Sequence, residues 1–485
     1  MRQTFLRGLA SAVVLVMAAG AAHAQPELER FQRRLEQINR EQQVLVDEAI
    51  PPDQRALIDY GGFISINFLA LDDAAQETHI LRQYDLNGYL RVNLDNVHEF
   101  FLRARTSYRD WNAGDDFDGR GDDLVEPTLD RAYYRFDLAR FIGSQGGEDP
   151  GFNIKLKGGR QLVHWGNGLT LSEQIDGGIV TFEVDGISID FLAGRTRTSI
   201  SDIDSSRPQF DNDTKRNFFG GIVTVELHPR HRVYVYGLVN DDENDDRVLV
   251  GAGPFLGVDT RFEYNSHYIG GGAQGSLTDQ LAYSVEAVYQ GGDTLSNSFN
   301  PATLAPVAQT RDDIEAWAVD VVLDYLVLDP NQTRLSIELL FASGDDDRLF
   351  STTNTFGGNR PNTDDNAFNA FGLINTGLSF APDASNLMML RVGASTIPLI
   401  NTETFKRMQV GVDLFVFGKL DSDAPINETT SDDRYLGFEA DFFINWQVVS
   451  DVSIAMRYGV FFPGKAITTD NDPRHFFFTG ITFAF

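Results

Sequence analysis

The sequence contains no cysteine among its 485 residues. That excludes a disulfide framework, a thiolate-ligated metal site and thiol chemistry. Basic charge is scarce as well, with 40 lysines and arginines against 70 aspartates and glutamates and a formal charge of −30. A phosphate-binding surface needs clustered cations, so no nucleic-acid partner is expected. Beyond the first residues, no stretch approaches the ~20 apolar residues that a membrane helix requires. If the chain meets a membrane, it does so as strands. Catalytic signatures are missing too: His98-Glu99 lacks the second His of a zinc helix, and neither a Gly-x-Ser-x-Gly elbow nor a phosphate-binding loop is present. The chain is not read as an enzyme, and no cofactor or metal is expected.

What is present begins with a targeting pattern. Arg2 and Arg7 flank a basic start, an apolar run extends from Leu9 to Ala18, and Ala22-His23-Ala24 supplies small residues for cleavage. Residues 1–24 are therefore expected to be a signal peptide, with mature numbering from Gln25. Losing Arg2 and Arg7 would take the formal charge from −30 to −32.

From Tyr60 onward the apolar period is two. Between Gln83 and Asp95, residues Tyr84, Leu86, Gly88, Leu90, Val92 and Leu94 share one face, and Gln83, Asp85, Asn87, Tyr89, Arg91 and Asn93 the other. Such segments of ten or more residues recur to Phe485, where Phe476 to Phe485 alternates and ends on an aromatic. Short turns, such as Asp95 to His98, Ile142 to Pro150, Asp185-Gly186 and Val449 to Asp451, alternate with long Asp/Gly/Asn-rich loops. This is the rhythm of a transmembrane antiparallel β-barrel over residues 60–485, in the outer membrane of a Gram-negative bacterium and in contact with its lipid and lipopolysaccharide. Nineteen strand candidates can be counted. A single-chain barrel needs an even number, and assigning Phe371 to Phe380 to the long loop 344–386 puts every later turn on its expected side. Eighteen strands follow, enough for an aqueous channel. Whether loop 344–386 plugs that channel is left open.

Residues 25–50 have a different period. Leu28, Phe31, Leu35, Ile38 and Leu45 fall at alternating three and four spacing, and Pro51-Pro52 ends the pattern at a linker over 51–59. A short N-terminal periplasmic helix is expected. It either packs on the barrel rim or, through residues 26–47, mediates self-association or docks a periplasmic partner.

Parity then assigns side chains. Leu436, Phe438, Ala440, Phe442, Ile444 and Trp446 read as a lipid-facing stripe. Arg91, Arg103, Arg105, Arg109, Arg131, Arg135, Lys155 and Lys157 are expected to line the pore on one side, and Glu286, Asp320, Asp324, Glu338, Asp413, Glu439 and Asp441 on the other. Such a wall would carry a transverse field, unless opposed charges on neighbouring strands pair and hold the wall together. The acidic loops, including Asp115 to Gly119, Asp241 to Asp246 and Asp345-Asp346-Asp347, carry oxygen ligands but no calcium-loop spacing, and are read as solvated or as bridged by divalent ions to lipopolysaccharide.

At Gly159-Arg160-Gln161-Leu162-Val163-His164-Trp165-Gly166-Asn167-Gly168, followed by Asp176-Gly177, the chain resembles the alginate-export family of outer-membrane porins. Tyr435 to Asp441, Tyr458 to Gly464 and the closing Phe strand fit the end of that family's barrels. The resemblance implies an eighteen-stranded monomer that passes a polyanionic polysaccharide, with Arg160 as a pore-lining contact. The half-acidic wall and the heptad helix depart from that pattern. The leading expectation is a channel for passive diffusion of small hydrophilic or charged solutes, anionic sugars among them. An exopolysaccharide secretion conduit and a sealed structural or surface-binding barrel are the alternatives.

Overall fold

A backbone that crosses hydrocarbon can satisfy its N–H and C=O groups only against itself, so alternating strands must close into a ring. The computed structural model describes residues 30–38, 56–117, 119–250, 258–300 and 305–485. A helix, α1, occupies residues 30–38. It is followed by β1 (Ala56–Asp72), β2 (Thr78–Leu94), β3 (His98–Trp111), β4 (Asp123–Asp137), the short helix α2 (Leu138–Ser144), β5 (Asn153–His164), β6 (Ser172–Val184), β7 (Ile187–Thr196), β8 (Arg216–His228) and β9 (His231–Asp242). A hairpin of β10 (Arg247–Val250) and β11 (Val258–Arg261) intervenes. Then come β12 (Tyr264–Ser276), β13 (Leu281–Leu295), β14 (Arg311–Leu326), β15 (Arg334–Ala342), β16 (Leu387–Thr396), β17 (Met408–Gly418), β18 (Tyr435–Val449), β19 (Val452–Pro463) and β20 (Arg474–Ala484).

Strands β1 to β9 pair in sequence, β9 pairs with β12, and the order continues to β20, which returns to β1 in one 18-stranded antiparallel sheet. The seam runs from Phe63 opposite Ala484 to Leu71 opposite Phe476. Residues 371–380 form no strand. They belong to the loop 343–386, as the parity of the strands required.

Alternation sorts the wall. In β2, Leu86 is 48% exposed toward the membrane, whereas its neighbour Asp85 is 4% exposed. Asp185 and Gly186 both have positive φ, +46° and +78°. This is the backbone of the tight hairpin turn that the Asp-Gly pair predicts. Sequence reading missed α2, which begins ahead of the predicted turn Ile142 to Pro150 and overlaps its start, and whose N-cap Asp137 accepts the N–H of Arg140 at 3.1 Å.

One lipid-facing assignment is corrected. The β17–β18 register shifts between Phe417 and Gly418, and Gly437 takes φ +149°. The bulge turns Leu436 into the interior, where it is fully buried, while Tyr435 stays exposed.

A charge on the lipid face has no partner, so Ile66→Arg near the middle of β1 should cost about 2–4 kcal/mol. Reversible guanidinium unfolding in lipid vesicles measures this, and an unchanged midpoint would mean that this face meets water.

Candidate functional site

Register places most of the predicted basic residues on the polar inward face. Arg103 lies opposite Tyr89 and Arg131, Arg105 opposite Asn87, Arg109 opposite Gln83, and Lys157 opposite Arg135. They are joined there by acids that the sequence reading did not assign to the site. Arg103 Nε donates to both Asp130 oxygens at 3.0 and 2.8 Å, Arg105 to Asp85 at 3.0 Å, and Arg135 to Glu99 at 2.8 Å. Arg91 lies 3.8 Å from Glu99, and Lys155 pairs with Glu183 at 2.7 Å. The Lys157 ammonium stands 4.2 Å over the Tyr133 ring. Asp85 and Glu99 share the parity of these arginines, so counting could have found them. Asp130 is the extra residue of a β-bulge, where Arg103 opposes Arg131 but Ala104 opposes Leu129, and counting could not.

Arg160 departs from the expected pore-lining position. It stands opposite Ala132 and Asp176 with no register shift in β5, out of phase with Lys155 and Lys157 and in phase with membrane-exposed Leu156. Its guanidinium binds Asp176 at 2.6 and 2.7 Å and the Leu129 carbonyl at 2.7 Å.

The acidic sector is used differently from the expectation. Glu286 and Glu439 are wholly buried, and Asp320 and Asp441 nearly so. The cause is that loops descend onto them. The loop between β5 and β6 places Asn167 so that its backbone N–H reaches Glu286 at 2.5 Å and its amide reaches Asp320 at 2.7 Å. Tyr236 donates to the other Glu286 oxygen at 2.5 Å. Gly166, at φ +56°, lies so close to Glu286 that a Cβ there would stand 2.4 Å from its Oε2, so only glycine permits this approach.

Loop 343–386 does the same to β18. The N–H groups of Leu378, Ser379 and Phe380 point at the Glu439 carboxylate at 2.6, 2.6 and 2.8 Å, and Leu378 also reaches Asp441 at 3.1 Å. Phe380 then stacks on Phe461 at 4.3 Å. These four carboxylates anchor inserted loops, and of them Asp441 also borders an internal cavity. Glu338 pairs with Arg391, Asp324 with Arg334 at 2.7 Å, and Asp413 borders an internal cavity of about 370 Å³. That cavity also meets Arg334, Arg391, Arg457 and Gln409, basic and amide groups of the acidic half that sequence reading left out.

The helix is the largest correction. The predicted apolar stripe exists in α1, but Phe31, Leu35 and Ile38 pack on inward-facing Leu69, Leu81, Trp111, Phe476 and Phe478. The helix therefore lies inside the barrel among the outer loops, not on the periplasmic rim, and its buried stripe is unavailable for self-association. Sequence periodicity gives an amphipathic face without naming what covers it. The remainder of the predicted helix over 26–47 lies outside the described residues.

A family model described as alginate export matches residues 67–477. The chain belongs to that family. No curated protein matches it in sequence. Solved structures share the fold at low identity. OccAB1 of Acinetobacter baumannii is 10% identical with a TM-score of 0.52, covering 88% of this chain and 96% of that one. OccK11 (OpdR) of Pseudomonas aeruginosa is 10% identical with a TM-score of 0.51, covering 88% and 95%. OccK1 (OpdK) of Pseudomonas aeruginosa is 9% identical, also at 0.51, covering 88% and 98%. This alginate-export barrel is thus an outer-membrane protein, its wall in contact with lipid and lipopolysaccharide.

In its outer loops, the Asp345, Asp346 and Asp347 carboxylates lie within 4.8 Å of one another. Asp345 accepts the N–H groups of Asp347 and Asn366 at 2.8 and 3.0 Å, and Asp347 pairs with Arg360 at 3.2 Å. Burial, reinforced by Asp365, pushes the Asp345 carboxyl up from 3.8 to about 6. A folded value above the unfolded one stabilises the loop fully below pH ~4, and that contribution is lost as pH rises to about 6. Protection factors in residues 343–386, corrected for the intrinsic pH dependence of exchange, should be higher at pH 4 than at pH 7, with Asp345→Asn removing the difference. Glu439→Ala should free the same loop, at about 1–3 kcal/mol for each N–H left without an acceptor. Unchanged exchange at Leu378 to Phe380 would show that Glu439 is not its anchor.

Proposed function

We propose that this protein is a channel for passive diffusion of small hydrophilic or charged solutes across the outer membrane, and not an enzyme. The observation that carries the reading is the polar inner wall: paired guanidinium and carboxylate groups from β2–β6 face a lumen that holds a cavity of about 370 Å³ bordered by three arginines and two aspartates. A barrel serving only as a lipid-embedded scaffold has no use for ionised groups kept in reach of water. OpdK, a neighbour at a TM-score of 0.50 and 9% identity, was crystallised with vanillate, a small carboxylate. That is consistent with small solutes as cargo here. The basic face is best read as Arg91, Arg103, Arg105, Arg109, Arg131, Arg135, Lys155 and Lys157, with Asp413 the predicted acid best placed to meet solute.

The family match supports a second reading, a secretion conduit for an acidic polysaccharide. A polymer needs a continuous bore. The conduit therefore requires α1 and loop 343–386 to leave the lumen together, whereas small solutes need only partial opening.

Planar-bilayer recording of refolded protein tests the channel directly. Stable insertion with no current under any voltage or pH would favour a sealed structural barrel. Arg103→Ser, Arg105→Ser and Arg131→Ser combined should shift reversal potentials toward cation selectivity, because Asp130 and Asp85 then lose their counter-charges. Unchanged potentials would remove this sector from the conduction path.

A further inference from the structure

The arginines of α1 sit in the lumen like a ligand in a receptor. Arg30 donates to the Asn427 carbonyl at 2.8 Å and to Glu428 at 3.4 Å. Arg33 pairs with Asp383, and Arg34 donates to the Ser379 and Phe380 carbonyls. Phe31 fills an aromatic cup, 5.3 Å from Trp111 and 5.5 Å from Phe117. Arg34 also lies 5.7 Å over the Phe476 ring.

Both carboxylates keep partners of their own. Glu428 is held by Arg474, with Nη1 at 2.8 Å, and by Thr469 at 2.7 Å, while Asp383 accepts from Asn427. Two guanidinium groups hold the Glu428 carboxyl below its ordinary value in spite of burial. Withdrawing α1 leaves Glu428 paired with Arg474 and leaves buried Asp383 with the neutral Asn427 amide, and the freed arginines gain water. A buried ion pair that resists opening is one whose partner would be orphaned. At Glu428 this seat is built without that penalty.

We propose that the inner wall between β1–β3 and the loops 343–386 and 419–434 is a docking surface for an arginine-bearing amphipathic helix, and that α1 is its resident, reversible occupant. Leaving the seat opens the outer half of the lumen. The inference rests on the channel reading above. Arg34 ties the occupant to the loop, since the segment whose carbonyls it caps directs its N–H groups at Glu439.

The experiment compares single-channel records of the full-length mature protein with R30A/R34A and with Q32C/S201C. The last pair replaces side chains that hydrogen-bond across the seat, in a chain with no other cysteine. Unseating should raise the open fraction of R30A/R34A about tenfold or more, the change that 1.4 kcal/mol produces. A synthetic peptide of residues 26–38 should block that variant again. Oxidised Q32C/S201C should stay closed and recover wild-type openings on reduction. A heat-modifiable, folded R30A/R34A barrel with the wild-type open fraction would overturn the proposal, as would an oxidised pair that conducts like the reduced one or a peptide without effect. If every variant passes the wild-type current, the channel stands and the seat does not. If folded, inserted barrels of all variants pass none, the channel reading falls as well.

Discussion

Everything in this molecule follows from the fact that a peptide group in hydrocarbon has no hydrogen-bond partner except another peptide group. Eighteen antiparallel strands that end by pairing β20 with β1 meet that demand without a free edge. Closure in turn fixes the parity of every side chain. Residues such as Leu86 and Leu102 go to lipid, and Asp85 and Arg103 go inward. A ring of this size cannot be filled by the wall side chains alone, so it holds water, inserted chain or both.

Here it holds inserted chain and an open cavity, at different depths. The outer half is occupied by α1 and by the loops after β5 and β15, fastened through backbone N–H groups to Glu286 and Glu439. Charge-assisted bonds of this kind are worth about 1.5–3 kcal/mol each, roughly twice a neutral one. The carboxylates of the acidic sector thus act on the protein's own loops before they act on any solute. Farther in, beside the first residue of β15, Arg334, the cavity bordered by Asp413 and Arg391 remains open. The basic sector across the barrel is neutralised strand by strand through Asp85, Glu99, Asp130 and Glu183. Opposed charges pair locally more than they create a field across the lumen.

The sequence made the wall legible because a period of two leaves no freedom once one face is lipid. Strand number, the placement of 371–380 in a loop, and the inward course of Arg103, Arg105 and Arg135 all follow from it. What parity could not reach were features that break it or do not obey it. The bulges at Asp130 and Gly437 reset which way Leu436 and Arg103's partner point. The pore-lining expectation for Arg160 rests on likeness to a motif rather than on counting, and the uninterrupted β5 register sets it in the other phase. The periodicity of α1 marks an apolar stripe of Phe31, Leu35 and Ile38, but the same stripe fits a rim, a second copy or a lumen, and only tertiary contacts choose among these. Loop descent is likewise invisible to a pattern of two, although the glycine at position 166 that permits it stands in the motif carrying the family resemblance.

The absence of cysteine makes the central division of inside from outside directly measurable. Single cysteines at Arg105, Arg135 and Lys155 should react in intact vesicles with a charged, membrane-impermeant thiol reagent, and those at Leu90, Leu102 and Leu156 only with a lipid-soluble one. Equal labelling of the two sets by the aqueous reagent would contradict a lipid-facing wall around a hydrated lumen.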